Sequence, residues 1–517
     1  QFETLNRRLK CLTPTVVEFE NNRSRISQPV VSEIESYLQP SVAGMAEYIS
    51  PSGLFTISYE TTGSNAVPLE DANSNGIPDY VEEAGIAADS SYRHEVMNLG
   101  NTDPIPVGER YPILLADIGP YGFTQREFGG NIQTSIVVEN DFVGFPENDD
   151  PDGDQLGALR VTIAHEFKHA IQYADNEWSG ESDRWLEMDA TLMEEVVYDE
   201  VNDYYNYIFN GSFGDPIFLR PNRSVIPGSY EDITFALYFH ERFDERFWTD
   251  VWSIIRTNPD IEMLTAVQQQ VENSGAIWTQ ALSELFLWHY ASGAERSPAD
   301  YGFEERAFYP DPAIEESLFG FTDTFTADRI LAPISTYFFD FIPGSGANGS
   351  PKVNLNHSLP SVNLAVIGYF DDGSSRVQFQ SGSNDGTTEL FTGWDAAELT
   401  RMGIVVSSQN TSSLPSDRPT FSINVDSELP RFVELLPNFP NPFNPSTTIR
   451  FRVEEAQNVR IRVYDITGRL VRELVNAPFN AGQHDVTFDA TGLASGVYIY
   501  RMEAATTSFV RKMMLVK

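Results

Sequence analysis

The chain of 517 residues reads as a multidomain α+β protein, a helix-rich domain followed by two β-sandwich domains. Three observations predict this. From Leu156 to Tyr173 there is no proline, and apolar residues at Leu159, Ile163, Phe167, Ala170 and Ile171 recur at helical spacing. After Pro310 that periodicity gives way to short strand-like runs separated by Gly, Ser and Asn. After Leu436 a Pro/Asn-rich segment opens a second set of such runs. The expected divisions are an N-terminal segment over 1–50, open to reading as a propeptide remnant, a catalytic-type domain over 51–314, an accessory β-sandwich over 315–427 and a last sandwich over 428–517.

The N-terminus, Gln1-Phe2-Glu3-Thr4, has no signal-peptide hydrophobic core. The chain is therefore expected to be either cytoplasmic or already processed. Cys11 is the sole cysteine, so no intrachain disulfide forms. Two readings of it stand: a small buried thiol, or a thiolate that plugs a metal site. Further on, Asp71-Ala72-Asn73-Ser74-Asn75-Gly76-Ile77-Pro78-Asp79-Tyr80-Val81-Glu82 fits the twelve-residue calcium loop. Asp71, Asn73, Asn75, Asp79 and Glu82 offer oxygens, Gly76 makes the sharp turn, and Ile77 would give its backbone carbonyl. Calcium there would pin the loop to a helix expected over 80–99; the alternative is an ordinary Asn/Gly/Pro turn. The acidic run 147–154 is expected to be a solvated loop.

The helix over 156–173 carries His165-Glu166-Phe167-Lys168-His169. Residues at i and i+4 share a helix face, so two imidazoles can hold one zinc, with Glu166 beside it to take a proton from water. A third ligand is commonly a carboxylate from a second helix. Glu187, in Trp185-Leu186-Glu187-Met188-Asp189, follows at a distance that allows a loop and a return helix. Asp175-Asn176 and Ser179-Gly180 mark that loop, and Ser182 or Asp183 caps the helix. Glu194 or Asp189 is expected to orient the histidines.

These residues resemble the gluzincins, the zinc peptidases that include thermolysin and aminopeptidase N. The likeness lies in His165-Glu166-x-x-His169 and Glu187-x-x-Ala190-x-x-x-Glu194. With Asn75-Gly76-Ile77-Pro78-Asp79-Tyr80 and Met193-Glu194-Glu195, it is similar to a group of secreted bacterial metalloproteases that end in a sorting domain. The resemblance implies a zincin-like catalytic domain in which His165, His169 and Glu187 bind zinc and Glu166 is the general base. The chain departs from the aminopeptidase W-L-x-E pattern by one residue at Trp185-Leu186-Glu187, which leaves Glu194 or Glu195 as a fallback ligand. No Gly-x-Met-Glu-Asn signature is present, which points to endopeptidase action. In gluzincins a tyrosine or histidine from a later helix stabilises the oxyanion; Tyr230 is the first candidate here and Tyr238 the second. The Asn-Gly-Ile-Pro-Asp core also resembles thrombospondin type 3 calcium loops.

Helices are expected over 230–242, 247–256, 261–274 and 277–291. Strands are expected over 330–341, 361–370, 376–380, 401–408 and 420–425, and again over 459–464, 468–474, 484–488, 496–503 and 508–516. The last set has the pattern of a small immunoglobulin-type sandwich. It resembles the C-terminal sorting domains of type IX secretion cargo, which implies export and a secreted or surface-attached protein; a fibronectin-like adhesive module is the alternative.

The net charge of −41 opposes nucleic-acid binding, which needs basic patches. The acidity is uneven: residues 428–517 hold 11 Lys/Arg and 9 Asp/Glu. No run approaches the length and apolarity of a membrane span. The expected cofactors are thus Zn2+ and Ca2+. The expected partners are a protein or peptide substrate and the type IX secretion machinery, with the chain acting as a monomer. Two functions compete: a secreted zinc endopeptidase, and a catalytically inactive zincin-fold protein of the cell surface that adheres or binds polysaccharide.

Overall fold

The computed structural model describes residues 10–38, 42–127, 130–178, 183–209, 215–225, 228–322, 324–344, 347–412, 414–428, 433–453, 456–504 and 507–516. Gln1–Thr4, the Ser179-Gly180 turn and the Ser182 cap lie outside them. The chain forms two compact units, residues 1–297 with 301–313, and residues 298–300 with 314–517. It is a multidomain α+β protein with several β-sheets. No described helix is long and apolar enough to cross a membrane.

The first unit opens with helices α1 (Thr13–Asn22) and α2 (Gln28–Leu38). Strands β1 (Ala46–Ile49) and β2 (Phe55–Tyr59), helix α3 (Asp79–Ser91), and strands β3 (Tyr111–Ala116), β4 (Gly122–Arg126) and β5 (Thr134–Glu139) follow. Then come the long helix α4 (Asp154–Asn176) and its return helix α5 (Asp183–Val197). The five strands make one mixed sheet in the order β1-β2-β3-β5-β4. β2, β3 and β5 run parallel, and β4 lies antiparallel on the edge.

No strand is expected from the sequence before residue 310, and the strands β3 and β5 found there are buried on both faces. In β3, Ile113 and Leu115 face α3 and α4, while Leu114 and Ala116 face α1 and α2. In β5, Ile136 and Val138 take the first side and Val137 the second. Side chains alternate across a strand, so a doubly covered strand reads as a continuous apolar run rather than an alternation. Phe167 of α4 anchors the helical layer, its ring 5.6 Å from Phe55 and 5.9 Å from Tyr111. Each such fully buried ring contributes about 1.5–3 kcal/mol.

α4 starts after Gly153, whose φ of +109° suits glycine, with Asp154 in the first turn to complement the helix dipole. It ends where Glu177 turns left-handed and its N–H bonds Tyr173 O. Between them nearly every residue is buried, polar ones included. The buried polar residues on α4 include His165, Glu166, Lys168, His169 and Gln172.

Several expectations need correction. The helix expected over 80–99 is α3 followed by a π-helical stretch, Tyr92–Asn98. Tyr230 sits in a 3-10 turn, Tyr230–Asp232, ahead of the helix Ile233–Arg242. The strand expected over 330–341 is two strands, Thr324–Ile330 and Ser335–Ile342. The acidic run 147–154 is not simply solvated: Asp150 is buried, and Arg160 bonds both its carboxylate oxygens at 2.8 Å, Asp152 at 2.8 Å and Glu83 at 2.7 Å.

The second unit is β-rich. A five-stranded sheet and a four-stranded sheet share an apolar core drawn from Leu318 to Val425. Three- and four-stranded sheets enclose another core, drawn from Leu435 to Leu515.

Candidate metal centre

His165 and His169 lie on the face of α4 turned to α5, their ring centroids 4.9 Å apart. A carboxylate only accepts hydrogen bonds, so His165 Nδ1 donates to Glu194 Oε1 at 2.7 Å. His169 Nδ1 likewise donates to Gln172 Oε1 at 2.8 Å. The Gln172 amide is itself held by Leu186 O and Asp189 Oδ2, at 3.0 and 3.1 Å. Trp252 Nε1 donates to the same Asp189 oxygen at 2.6 Å. Both rings are therefore oriented from behind, with Nε2 turned to a common point. Glu187 meets them there, Oε2 at 3.2 Å from His165 Nε2 and Oε1 at 3.1 Å from His169 Nε2.

One more donor atom reaches that point. Ligand atoms of Cys11, His165, His169 and Glu187 all lie within 4.8 Å of one another, and all four residues are buried. The donor set fits zinc, which takes sulfur, imidazole nitrogen and carboxylate oxygen in a tetrahedron with bonds of about 2.0–2.3 Å. His169 Nε2 and Glu187 Oε1, although close, make no hydrogen bond. Buried polar atoms in native proteins have partners or a reason to lack them, and a cation among these four supplies the reason. Hydrogen bonds and charge from Glu187 and Glu194 outweigh the opposing effect of burial and push His165 up to about 10. Burial would raise the Glu187 carboxyl, yet the two imidazoles hold it well below the usual carboxylate range.

Glu166 points to the other side of the cluster. Its Oε2 accepts from Thr124 Oγ1 at 2.9 Å and Thr13 Oγ1 at 3.1 Å, while its buried Oε1 has no hydrogen-bond partner. Gly122, where β4 begins, lets this happen: a Cβ there would meet Thr162 Cγ2 at 2.8 Å and Glu166 Cγ at 3.1 Å. The half-buried Tyr230 ring lies near His165, centroids 6.0 Å apart and planes 24° apart. Burial, then the charge of Glu187, holds its phenol well above the usual range, so the hydroxyl keeps its proton and can donate it.

The structure thus brings together His165, Glu166, His169, Glu187 and Tyr230, and adds Cys11. Tyr238 is elsewhere, its hydroxyl on Glu284 Oε2 at 3.1 Å. Of the fallback ligands, Glu194 holds His165 from behind, and Glu195 faces Glu305 and Asp199 instead. Sequence reading missed Lys10, Thr13, Thr124, Gln172 and Asp203. Gln172 alone carried a local signal, one turn after His169.

In the upstream loop, Asp71 Oδ2 accepts from Gly76 N at 2.9 Å, and Asp79 Oδ2 from Ala72 N at 3.0 Å. The Asn73 and Asn75 amides both donate to the Glu82 carboxylate, at 2.7 and 2.8 Å. Gly76 turns the chain at φ +86°. Asn75 Oδ1 accepts from Ile77 N at 2.8 Å. These bonds tie the loop to itself and to the first turn of α3, while Asp71, Asp79 and Glu82 do not form a metal-spaced group of carboxylates among the described residues.

Residues 438–517 match the family described as the secretion system C-terminal sorting domain. This marks the chain as a secreted or cell-surface protein that engages secretion machinery. No curated protein matches the chain. Among solved structures, a β-glucuronidase from Ruminococcus gnavus aligns at 11% identity over 35% of this chain and 36% of its own, with a TM-score of 0.13. A β-D-glucuronidase of Dictyoglomus thermophilum aligns at 10% identity over 35% and 36%, with a TM-score of 0.12. The aligned portion is thus about a third of each of those enzymes.

Proposed function

We propose that the chain is a secreted zinc-dependent endopeptidase with a zincin-like catalytic domain. The observation that carries this is the close grouping of His165, His169 and Glu187 ligand atoms, with the buried Glu166 next to His165 on the same helix and bonded to Thr124 of the edge strand β4. Zinc, when bound, supplies Lewis acidity toward the scissile carbonyl and makes a water molecule acidic. Glu166, with one carboxylate oxygen committed to threonine hydroxyls and the other unpartnered, takes the proton and later returns it to the leaving amine. The protonated Tyr230 phenol donates toward the developing oxyanion. Calcium in the loop 71–82 fastens that loop to α3.

A second reading is favoured by Cys11. Four protein ligands close a zinc site in the manner of structural centres, whereas catalytic sites keep a position open. On that reading the chain is a catalytically inactive surface protein stabilised by metal. Zinc content and cleavage of unfolded casein, measured in Cys11→Ser with and without Glu166→Gln, separate the two. The peptidase reading expects about one zinc per chain and cutting only where Glu166 is kept. Bound zinc with no cutting in either variant would leave the inactive reading standing.

A further inference from the structure

Residues 10–13 lie against the site, Cys11 bridging the start of β4 just before α1 begins at Thr13. Leu12 N donates to Gly122 O at 3.1 Å, Tyr121 N to Lys10 O at 3.0 Å, and Cys11 pairs with Gly122 in a parallel bridge. They take the start of the free edge of β4, where an extended peptide would add to the sheet, and Thr124 N donates to Thr13 Oγ1 at 2.8 Å one step further on. Each side chain then occupies a different part of the machinery. Cys11 Sγ joins the two histidines and Glu187. Thr13 Oγ1 donates to the carboxylate of Glu166.

Lys10 fills a pocket of its own. Its ammonium bonds Asp203 Oδ2 at 2.5 Å and Glu194 Oε2 at 2.9 Å, and stands 4.1 Å from the centre of the Tyr121 ring. Lys10 is 1% exposed, and Asp203 and Glu194 are 1% and 2% exposed. Asp203 is held in place by Tyr207 OH at 3.1 Å. Two buried carboxylates so fixed require a cation, because a buried charge left without its partner is strongly unfavourable. Lys10 is the only lysine or arginine that makes an ion pair with either one among the described residues, and His165 meets the other oxygen of Glu194.

Resting on the peptidase reading, we infer that residues 10–13 are a built-in inhibitor lying in the cleft in the manner of a peptide. Cys11 is the fourth metal ligand, and the pocket now holding Lys10 selects a lysine or arginine side chain of the substrate once the segment leaves. On metal binding the Cys11 thiol gives its proton to solvent and the thiolate bonds the metal. Opening the site breaks that bond, and the thiolate recovers a proton from water. No oxidant or reductant is involved.

The test uses the full chain loaded with cobalt(II) in place of zinc. A thiolate-to-cobalt absorption band is expected in the wild type and is lost in Cys11→Ser, with metal content unchanged. Alkylation of Cys11 in the metal-loaded wild type is expected to be about tenfold slower than after chelation. This labelling needs no variant and stands even if Cys11→Ser folds poorly. In Lys10→Ala/Cys11→Ser, peptides with Lys or Arg beside the cut are expected to be cleaved about tenfold faster than their norleucine counterparts. Asp203→Asn in that background is expected to erase the difference. Bound metal with no thiolate band and unprotected Cys11 overturns the inhibitor while leaving the peptidase reading intact. Cleavage indifferent to Lys overturns the pocket. Absence of bound metal overturns both this inference and the reading beneath it.

Discussion

Glu194 joins His165 to Lys10: one carboxylate oxygen accepts from His165 Nδ1 at 2.7 Å, and the other takes the Lys10 ammonium at 2.9 Å. One carboxylate thus links a proposed metal ligand to the N-terminal segment.

Replacing Glu194 with Ala is expected to weaken zinc binding by about 10- to 100-fold, as the loss of a group that orients a histidine ligand does. Gln172→Ala acts on His169 in the same way, through the bond at 2.8 Å. Competition with a calibrated chelator measures both. Affinity unchanged in both variants would mean that the rings are held by packing alone.

Glu166→Gln preserves shape and removes the base. Zinc content is expected to stay the same while kcat in the Cys11→Ser background falls about 100- to 10,000-fold. Parallel metal analysis and casein turnover check it; retained turnover would remove Glu166 from its role.

How much of this was legible in the sequence follows from distance along the chain. His165, Glu166 and His169 share one helix, and helical spacing alone puts the two histidines on a common face. Glu187 was reachable because a return helix must bring its face back. Asp203 and Lys10 stand 193 residues apart and meet only in the folded chain, which no local pattern announces. The sheet beneath them escaped notice because strands such as Tyr111–Ala116 are covered on both faces.

At Gly122 the backbone of β4 approaches α4 too closely for any side chain. Gly122→Ala would press on Val137 O and Thr162 as well as Glu166, and is expected to destabilise the first unit by about 1–3 kcal/mol. Urea unfolding reads this directly, and an unchanged midpoint would refute the packing argument.

Calcium is expected to raise the melting temperature by binding the folded loop, with about 2.7 kcal/mol gained at a hundredfold excess over Kd. Asp71→Ala and Glu82→Gln should each abolish the shift, since both carboxylates lie inside the loop's hydrogen-bond network. Calorimetry with calcium and with chelator decides; equal melting in both would make 71–82 an ordinary turn.

Stability should fall as pH rises from about 4.5. Burial and then the charges of Glu305 and Asp199 push Glu195 up to about 10, and burial pushes Glu241 up to about 7. A carboxyl raised in the folded state keeps its proton there after the unfolded chain has released it. Its stabilisation is therefore full below the unfolded value of 4.5 and disappears through the folded value. Glu195→Gln is expected to flatten the slope between pH 5 and 8, measured by denaturant midpoints at each pH. A slope identical to wild type would remove Glu195 as its source.

The start of the free edge of β4 is covered by residues 10–13. An uncovered strand edge invites pairing with whatever extended chain is near. Departure of those four residues would therefore leave a surface that gathers neighbours as readily as peptides. The opened molecule should be the more sociable one, prone to self-association in the absence of substrate and kept apart by its presence.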